Sequence, residues 1–452
     1  MGELGRGRSR SDFVRRESRL SVSSSQPNIL IILADDHGWG DVSYQGGPNL
    51  RTPSIDRIAN GGIQLSNFYA NSSVCSPSRA ALMTGRYPDR VGVPGVIRTH
   101  PENNWGYLDP TAVLLPTVLK RAEYHTSLIG KWHLGLDADS HPCHRGFHHF
   151  KGFLGDMMDD YLSHLRHGHN YMRLDTTEIH PEGHATDLFT DWSVEYIEDR
   201  TDREQPFFLY LAYNSPHTPI QPPDEWVERV REREPDASEE RVRYVALVEH
   251  MDAGIGRVLD SLEATGQRDN TLVIYTSDNG GQMNVGATNG PYRGQKGDMY
   301  EGGIRVPACA MWPGHIDAGT TSDRVALLMD LFPTACEAAA AEFDHDIEGR
   351  SILPTLLGQP QDSDDRVLYW VRREGSPNFF GLTQQAVRKK DLKLLQNRPG
   401  EPLELFDMES DPHEAIDRIT NEDERKTMIS LLRTEIQKAG SVPWQRPNLD
   451  IT

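Results

Sequence analysis

One apolar run, Asn28–Ala34, constrains the fold most, because it is a continuous isoleucine-rich stretch bounded by polar residues. Runs of this length and composition are typical of parallel strands that are buried on both faces. Further strand-like runs lie at 125–129, 206–212, 271–276 and 306–311. They alternate with segments of helical pattern at 53–60, 115–122, 187–198 and 239–264. This alternation predicts an α/β fold with a large, mostly parallel sheet flanked by helices on both faces.

Acidic and amide side chains follow two of these runs. Asp35 and Asp36 come directly after Ala34, and Asp278 and Asn279 follow the run at 271–276. In open α/β sheets, ligands bind beyond the carboxyl ends of the strands. Adjacent carboxylates repel each other unless a cation or a proton lies between them. Oxygen ligands of this kind suit Ca²⁺ or Mg²⁺ rather than zinc. The alternative interpretation is a solvated turn.

The third feature is a short cysteine motif. Cys75, Pro77 and Arg79 form the pattern C-x-P-x-R. Because proline is favoured in the first turn of a helix, the pattern predicts that Cys75 lies near a helix N-terminus. Backbone N–H groups and the helix dipole favour an anion at such a place. Taken alone, the pattern is equally compatible with a half-buried structural cysteine.

Six motifs occur in a fixed order along the chain. They are Asp35-Asp36, C-x-P-x-R at 75–79, Gly130-Lys-Trp-His-Leu-Gly135, Ser215-Pro-His-Thr-Pro219, Asp278-Asn-Gly280 and Gly294-Gln-Lys-Gly297. From about residue 28 to residue 412, the chain resembles the type I, formylglycine-dependent sulfatase family (arylsulfatase-like) of the alkaline-phosphatase-like superfamily. The resemblance implies hydrolysis of a sulfate monoester on a sulfated saccharide or another sulfated small molecule, with aryl sulfates as artificial substrates.

The resemblance also implies a cofactor and a modified residue. A formylglycine-generating enzyme would oxidise Cys75 during maturation, and a hydroxyl of the hydrated aldehyde would attack sulfur. Ca²⁺, with Mg²⁺ as the second choice, would be held by Asp35, Asp36, Asp278, Asn279 and the modified Cys75. Asp278 would accept the proton of the attacking hydroxyl.

The same resemblance assigns the remaining catalytic roles. His217 would protonate the leaving alcohol, with Lys296 beside it on the ester oxygen. His133 would act as the base of the second step. Arg79 and Lys131 would position the nucleophile and the sulfate.

Residues 141–173 are rich in histidine, aspartate and tyrosine. By resemblance, loops in this part of the chain line the pocket for the leaving group. The candidate sugar contacts are His100, Trp105, Asp156, Asp159 and Tyr161. Ordinary packing and solvated loop positions are equally compatible with these residues.

Charge and composition limit the classes of partner. Lysine and arginine total 47 against 67 acidic residues, and the net charge of -20 argues against nucleic acid. No apolar run has the length of a membrane span. Three alternatives stay open: a phosphonate or phosphate ester hydrolase of the same superfamily, a catalytically inactive sulfate-ester-binding protein, and a thiol or disulfide protein.

The chain divides into three parts. Residues 1–26 are a basic leader expected to be disordered, 27–362 the catalytic domain, and 363–452 a smaller C-terminal subdomain with an antiparallel sheet and a helix. The leader lacks the apolar core of a secretory signal. As it stands, the sequence predicts a cytoplasmic location, whereas a different start would allow a periplasmic or secreted one.

Overall fold

The protein is described by a computed structural model that covers residues 26–362, 365–376 and 379–446. The predicted leader therefore lies outside the described residues, except for Gln26. The strands are β1 Asn28–Ala34, β2 Ile63–Leu65, β3 Phe68–Tyr69, β4 His125–Lys131, β5 His149–Phe153, β6 Leu165–Arg166, β7 His169–Asn170, β8 Met172–Leu174, β9 Thr177–Glu178, β10 Phe207–Ala212, β11 Thr271–Ser277, β12 Ala308–Met311, β13 Thr320–Ser322, β14 Ala326–Leu327, β15 Val367–Arg373, β16 Thr383–Lys389, β17 Leu392–Gln396 and β18 Glu404–Asp407. The α-helices are α1 Pro53–Asn60, α2 Cys75–Thr84, α3 Leu115–Arg121, α4 Ala185–Asp199, α5 Asp224–Arg233, α6 Glu239–Ala264, α7 Glu301–Ile304, α8 Leu331–Ala338, α9 Leu353–Leu356 and α10 Glu422–Lys438.

Within the described ranges, the largest sheet has ten strands in the order β13-β2-β12-β11-β1-β10-β4-β5-β8-β9. The central neighbours β11, β1, β10, β4 and β5 are parallel. Antiparallel pairings join β12 to β11 and β2, and β8 to β5 and β9. The predicted large, mostly parallel sheet is confirmed, with antiparallel strands added towards both edges.

Strand β1 lies in the middle of the sheet and contacts both layers of helices. Ile29, Ile31 and Leu33 pack with α2, α3 and α8, and the residues between them pack with α1, α4 and α6. Every residue of β1 is buried. Burial of an aliphatic side chain stabilises the fold by about 1.5–3 kcal/mol. This two-sided packing explains why the run shows no alternation of polar and apolar residues.

Proline explains the one strand whose start differs most from the prediction. The apolar run at 306–311 forms a strand only from Ala308, because Pro307 has no backbone N–H to donate to a neighbouring strand. The bounds of α1 and α6 agree with the sequence patterns. None of the helices in the described part of the chain combines the length and the apolar character that a membrane crossing needs.

A second, antiparallel sheet has the order β15-β16-β17-β18, and α10 packs on it through Met428 and Leu432. The predicted C-terminal sheet and helix are thus confirmed. Trp370 Nε1 donates to the carbonyl of Ala70 at 2.8 Å, and Ser72 Oγ donates to Val371 O at 3.1 Å. The C-terminal sheet therefore contacts the segment just before Cys75. The domain boundary at residues 362 and 363 stays a prediction.

Candidate active site

The carboxyl ends of the central strands meet at one edge of the large sheet. Ala34 of β1 pairs with Ser277 of β11, and Leu33 pairs with Ala212 of β10. Ala212 in turn pairs with Gly130 of β4. Because these strands are parallel and end in register, the residues that follow them are brought together although they are far apart in sequence.

Four oxygen-bearing side chains form the centre of this edge. Asp35, Asp36, Asp278 and Asn279 are all buried. The backbone N–H of Asp36 donates to Asp278 Oδ1 at 3.1 Å, and Asn279 Nδ2 donates to Asp36 Oδ1 at 2.8 Å. Asp36 has a φ of 66°, a left-handed conformation that is rare for residues other than glycine and is often found at functional sites.

The same centre suits a hard cation. Asn279 Oδ1 is buried and accepts no hydrogen bond among the described residues, and Asp35 Oδ1 has only the ion pair with Arg79 at 3.3 Å. Ligand atoms of Asp35, Asp36, Cys75 and His217 all lie within 4.8 Å of one another. Buried carboxylate and amide oxygens without donors are the ligands that Ca²⁺ and Mg²⁺ prefer. The residues present therefore fit a divalent cation.

Helix α2 presents Cys75 to this cluster. Cys75 is the first residue of the helix, and Val74 before it is extended. Pro77 lies in the first turn, where its missing N–H has no helical partner to lose. Cys75 Sγ is 4.0 Å from Asp36 Oδ1. Burial raises the pKa of the Cys75 thiol above its usual range, and Lys296 and Lys131 offset this only in part. The unmodified thiol is therefore a poor nucleophile.

Two cationic side chains, Arg79 and Lys131, form ion pairs with the carboxylates of Asp35 and Asp278. Arg79 Nη2 is 2.7 Å from Asp278 Oδ2 and 3.3 Å from Asp35 Oδ1. Lys131 Nζ donates to Asp35 Oδ2 at 2.6 Å. Burial alone would raise the pKa of Asp35, but the charges of Lys131 and Arg79 oppose it, and this pKa lies well below its usual value. Burial and the neighbouring Asp35 raise the pKa of Asp278.

Lys296 and His217 lie together beside Asp36. Lys296 Nζ donates to Asp36 Oδ2 at 2.6 Å and lies 3.0 Å from His217 Nε2. His217 Nδ1 is 2.7 Å from Thr218 O, which only accepts, so Nδ1 carries the proton and Nε2 accepts from Lys296. Burial, followed by the charge of Lys296, lowers the pKa of His217. Lys296 is thus the proton-bearing member of this pair.

His133 lies on the side of β4. Its Nε2 is 2.9 Å from Ile97 O and must donate, so Nδ1 carries a lone pair, and Nδ1 is buried without a hydrogen-bond partner in the described residues. Burial, together with the charges of Lys131 and Arg79, holds the pKa of His133 well below its usual value. His133 is therefore a neutral imidazole with a free basic nitrogen.

Two of the predicted sugar contacts lie at the surface. The His100 ring centroid is 4.2 Å from that of His167, and the His100 side chain is half exposed. Trp105 stacks on Trp444 with centroids 5.0 Å apart. One face of the Trp105 ring is therefore used within the protein.

The other predicted sugar contacts are held by protein groups. Asp156 and Asp159 form ion pairs with Arg166 at 3.0 and 2.7 Å. Tyr161 is 1% exposed, and its hydroxyl lies 2.7 Å from Asn214 O and 2.9 Å from the carbonyl of His217. We therefore interpret Tyr161 as a support for the loop that carries His217 instead of a sugar contact.

The sequence motifs missed one structural link in the site. Ile97 N donates to Ser76 Oγ at 3.1 Å, and Ile97 O accepts the hydrogen bond that His133 Nε2 donates. This backbone segment therefore connects the nucleophile helix with the second histidine. No local pattern indicates this link, since an isoleucine that acts through its main chain leaves no signature in the sequence.

Two family models and several known proteins are similar to this chain. Residues 27–341 match the family model described as Sulfatase, and residues 294–441 match the model described as N-sulphoglucosamine sulphohydrolase, C-terminal. N-acetylgalactosamine-6-sulfatase of Homo sapiens is 35% identical over 373 residues, which is 77% of this chain and 69% of that protein. Steryl-sulfatase of Homo sapiens is 31% identical and covers 77% of this chain and 73% of that protein.

A solved structure is also similar over most of the chain. The crystal structure of Ps i-CgsB in complex with k-i-k-neocarrahexaose superposes with a TM-score of 0.83 at 30% sequence identity, and the match covers 93% of this chain and 95% of that chain. The chain belongs to the sulfatase family, and the resemblance drawn from its six motifs is confirmed. It is a hydrolase of sulfuric esters.

Proposed function

We propose that this protein hydrolyses a sulfate monoester of a saccharide, with Cys75 converted to formylglycine and one Ca²⁺ as cofactor, Mg²⁺ being the second choice. The observation that carries this proposal is the position of Cys75. Its Sγ lies at the start of α2 and faces Asp36 within a buried cluster of carboxylates that is flanked by Lys131 and Lys296. A group at this position is in reach of both a metal and two ammonium groups.

Metal and modification would supply the chemistry that the encoded side chains lack. Asp35, Asp36, Asp278, Asn279 and the modified residue 75 would hold the cation. When present, the cation and the hydrated aldehyde supply a Lewis acid and a hydroxyl nucleophile of lowered pKa. Support for this assignment comes from Asn279 Oδ1, which is buried without a donor, and from the ligand atoms of Asp35, Asp36 and Cys75, which lie within 4.8 Å of one another.

The protein's own side chains have separate tasks in this proposal. Lys131 and Arg79 place positive charge on the side of the sulfate that faces β4, and they fix Asp35 and Asp278. The Lys296–His217 pair holds a proton between Nζ and Nε2 on the opposite side, where the leaving alcohol departs. His133 Nδ1 accepts a proton in the second step.

The class of leaving group rests on the relatives. Proteins similar to this chain include one named for N-acetylgalactosamine 6-sulfate and one named for a steryl sulfate, so the family alone leaves the leaving group open. The structural match in complex with a neocarrahexaose supports a saccharide. We therefore propose a sulfated saccharide as substrate and a formylglycine-generating enzyme as the partner in maturation.

The test compares protein made with and without a formylglycine-generating enzyme. Sulfate release from 4-nitrophenyl sulfate should increase in proportion to the fraction of Cys75 peptide that mass spectrometry finds as aldehyde. Cys75→Ala should be inactive in both hosts, and Cys75→Ser should release product at most once. Full multiple turnover by protein with unmodified Cys75 contradicts the proposal. If the modified protein hydrolyses phosphate or phosphonate esters faster than sulfate esters, the proposal is wrong and the phosphate or phosphonate ester hydrolase is favoured.

A further inference from the structure

Three arginines lie together beside the loops that carry Ser73, Ile97 and Gly297, and we call Arg98, Arg372 and Arg398 the rim arginine cluster. Arg98 Nη2 donates to Glu374 Oε2 at 2.9 Å, and Arg372 Nε is 3.5 Å from Glu374 Oε1. The guanidinium carbons of Arg372 and Arg398 are 4.9 and 5.8 Å from the centroid of the Phe379 ring. The catalytic domain provides Arg98, and the C-terminal sheet region provides the other two.

The cluster is connected directly to the catalytic motifs. Arg372 Nη1 donates to the carbonyl of Gly297, the residue after Lys296, at 3.0 Å. Gly297 N donates to Ser73 O at 2.8 Å, two residues before Cys75. Arg98 follows Ile97, whose main chain contacts both Ser76 and His133. The arginines therefore stand beside the catalytic edge and not on a remote surface.

The three arginines carry one more charge than the carboxylates with which they form ion pairs. Glu374 and Asp298 are the two carboxylates that the described residues pair with these three arginines. The Arg98, Arg372 and Arg398 side chains remain 26%, 16% and 39% exposed, so a ligand can reach them. Burial and the like charges of Arg98 and Arg398 lower the pKa of Arg372. On a chain with a net charge of -20, a local excess of positive charge of this kind attracts anions.

We propose that the rim arginine cluster binds a second anionic group, a sulfate or a carboxylate, on the saccharide whose scissile sulfate lies at residue 75. This inference rests on the proposed function and adds the substrate class, a saccharide with at least two negative charges. Planar guanidinium groups with several parallel N–H donors match the oxyanions of sulfate and carboxylate. The cluster also explains how an acidic protein captures a polyanion.

The experiment measures binding without turnover. Full-length Cys75→Ala protein is titrated by calorimetry at low salt with three disaccharides that share one N-acetylgalactosamine 6-sulfate. The second sugar is a neutral hexose, a hexuronate or a hexose with its own sulfate. A matched series on N-acetylglucosamine 6-sulfate is measured in parallel. In at least one series, we expect a second anion to lower Kd about tenfold, and the two charged probes show whether sulfate or carboxylate is preferred.

Variants of the cluster test the assignment. Arg98→Gln and Arg372→Gln, each in the Cys75→Ala protein, should remove most of this tenfold gain, with Arg398→Gln as a further variant if either melts early. Arg257→Gln is the matched control, because Arg257 is 54% exposed and pairs with Asp191 on a distant helix surface. The same gain in the rim variants as in the control, or no gain from a second anion in either series, overturns the proposal. Sulfate release from 4-nitrophenyl sulfate by modified protein separately tests the proposed function.

Discussion

Lys393 lies between two buried glutamates, and its replacement by methionine tests what holds the C-terminal sheet on the catalytic domain. Lys393 Nζ donates to Glu301 Oε1 at 2.8 Å and to Glu414 Oε1 at 2.7 Å. All three side chains are 0% exposed. Glu301 begins α7, shortly after Lys296, so the cluster connects β17 with the loop that carries a catalytic residue.

The expected loss of stability depends on the two glutamates that remain after Lys393 is replaced. Lys393→Met keeps most of the side-chain volume and removes the charge. Glu301 retains Arg305, whose Nη1 is 3.4 Å from Glu301 Oε2, but the Glu414 carboxylate has no other ion pair among the described residues. Removal of one partner from a buried ion pair costs about 3–5 kcal/mol because the other charge stays buried. That is a large part of the roughly 5–15 kcal/mol by which domains are stable.

The loss should depend on pH in a defined direction. Burial raises the pKa of Glu414, and removal of Lys393 takes away the charge that opposes this rise. The folded variant therefore binds a proton more tightly than the unfolded chain, and its stability falls as pH rises from the unfolded pKa through the raised folded pKa. The loss of stability caused by Lys393→Met should accordingly be smaller at about pH 5 than at about pH 8.

Urea denaturation followed by tryptophan fluorescence measures the effect. Lys389→Met on the adjacent strand is the control, since Lys389 is 33% exposed and 4.0 Å from Asp365, and it should change the free energy of unfolding by less than about 0.5 kcal/mol. The double variant Lys393→Met/Glu414→Gln should recover about 2 kcal/mol, because no unpaired charge remains. A Lys393→Met loss equal to that of the control would refute the reasoning.

Three further predictions concern the metal, the catalytic histidines and acid stability. Metal analysis after mild purification should find one Ca²⁺ per chain, and Asp36→Ala should lose both the metal and turnover; full activity after exhaustive chelation would contradict this. His217→Ala should lower kcat for sugar sulfates by about 10²–10⁴ and for 4-nitrophenyl sulfate by less, whereas His133→Ala should give a burst of alcohol followed by slow turnover. Equal losses of the two substrate types would reduce His217 to a positioning role. Burial and His250 lower the pKa of His184 to about 4, so the contribution of this histidine to stability should fall by on the order of 2 kcal/mol as pH drops from about 6.5 to about 4. His184→Asn, which keeps a cap for α4, should therefore show a melting temperature that depends less on pH than that of the wild type.

The central sheet was predictable because its signals are local. The run at Asn28–Ala34 is apolar over its whole length, and α6 has a long helical pattern, so both were found with their observed bounds. Parallel strands that end in acidic residues place those residues at one edge, so the sequence indicates that Asp36 and Asp278 lie close together. The orientation of β12 was not predictable, since strand direction depends on the path of the chain and not on the side chains of the strand.

Contacts between segments that are far apart in sequence could not be predicted from local sequence patterns. Arg98 and Glu374 are 276 residues apart and meet only because β15 packs beside the nucleophile loop. Lys393 occupies a strand position in an otherwise apolar run, and its two glutamate partners come from a short helix and a loop. Tyr161 looked like a sugar contact because its loop is polar, whereas its hydroxyl is used by the main chain near His217. In each case the partner, and not the residue type, decides the role.

These contacts also change how the two domains relate to the chemistry. The C-terminal sheet supports the loop before Cys75 through Trp370, contacts Gly297 through Arg372, and supports α7 through Lys393. The edge that carries Asp35, Asp36 and Asp278, by contrast, is built from the ends of strands of the large sheet, with Cys75 added by α2. A substitution of Arg372 in β15 therefore changes the charge beside the site, whereas the carboxylates of the centre come from other elements. We therefore expect the rim arginine cluster to influence which saccharide binds, and the carboxylates of the centre to influence the reaction itself.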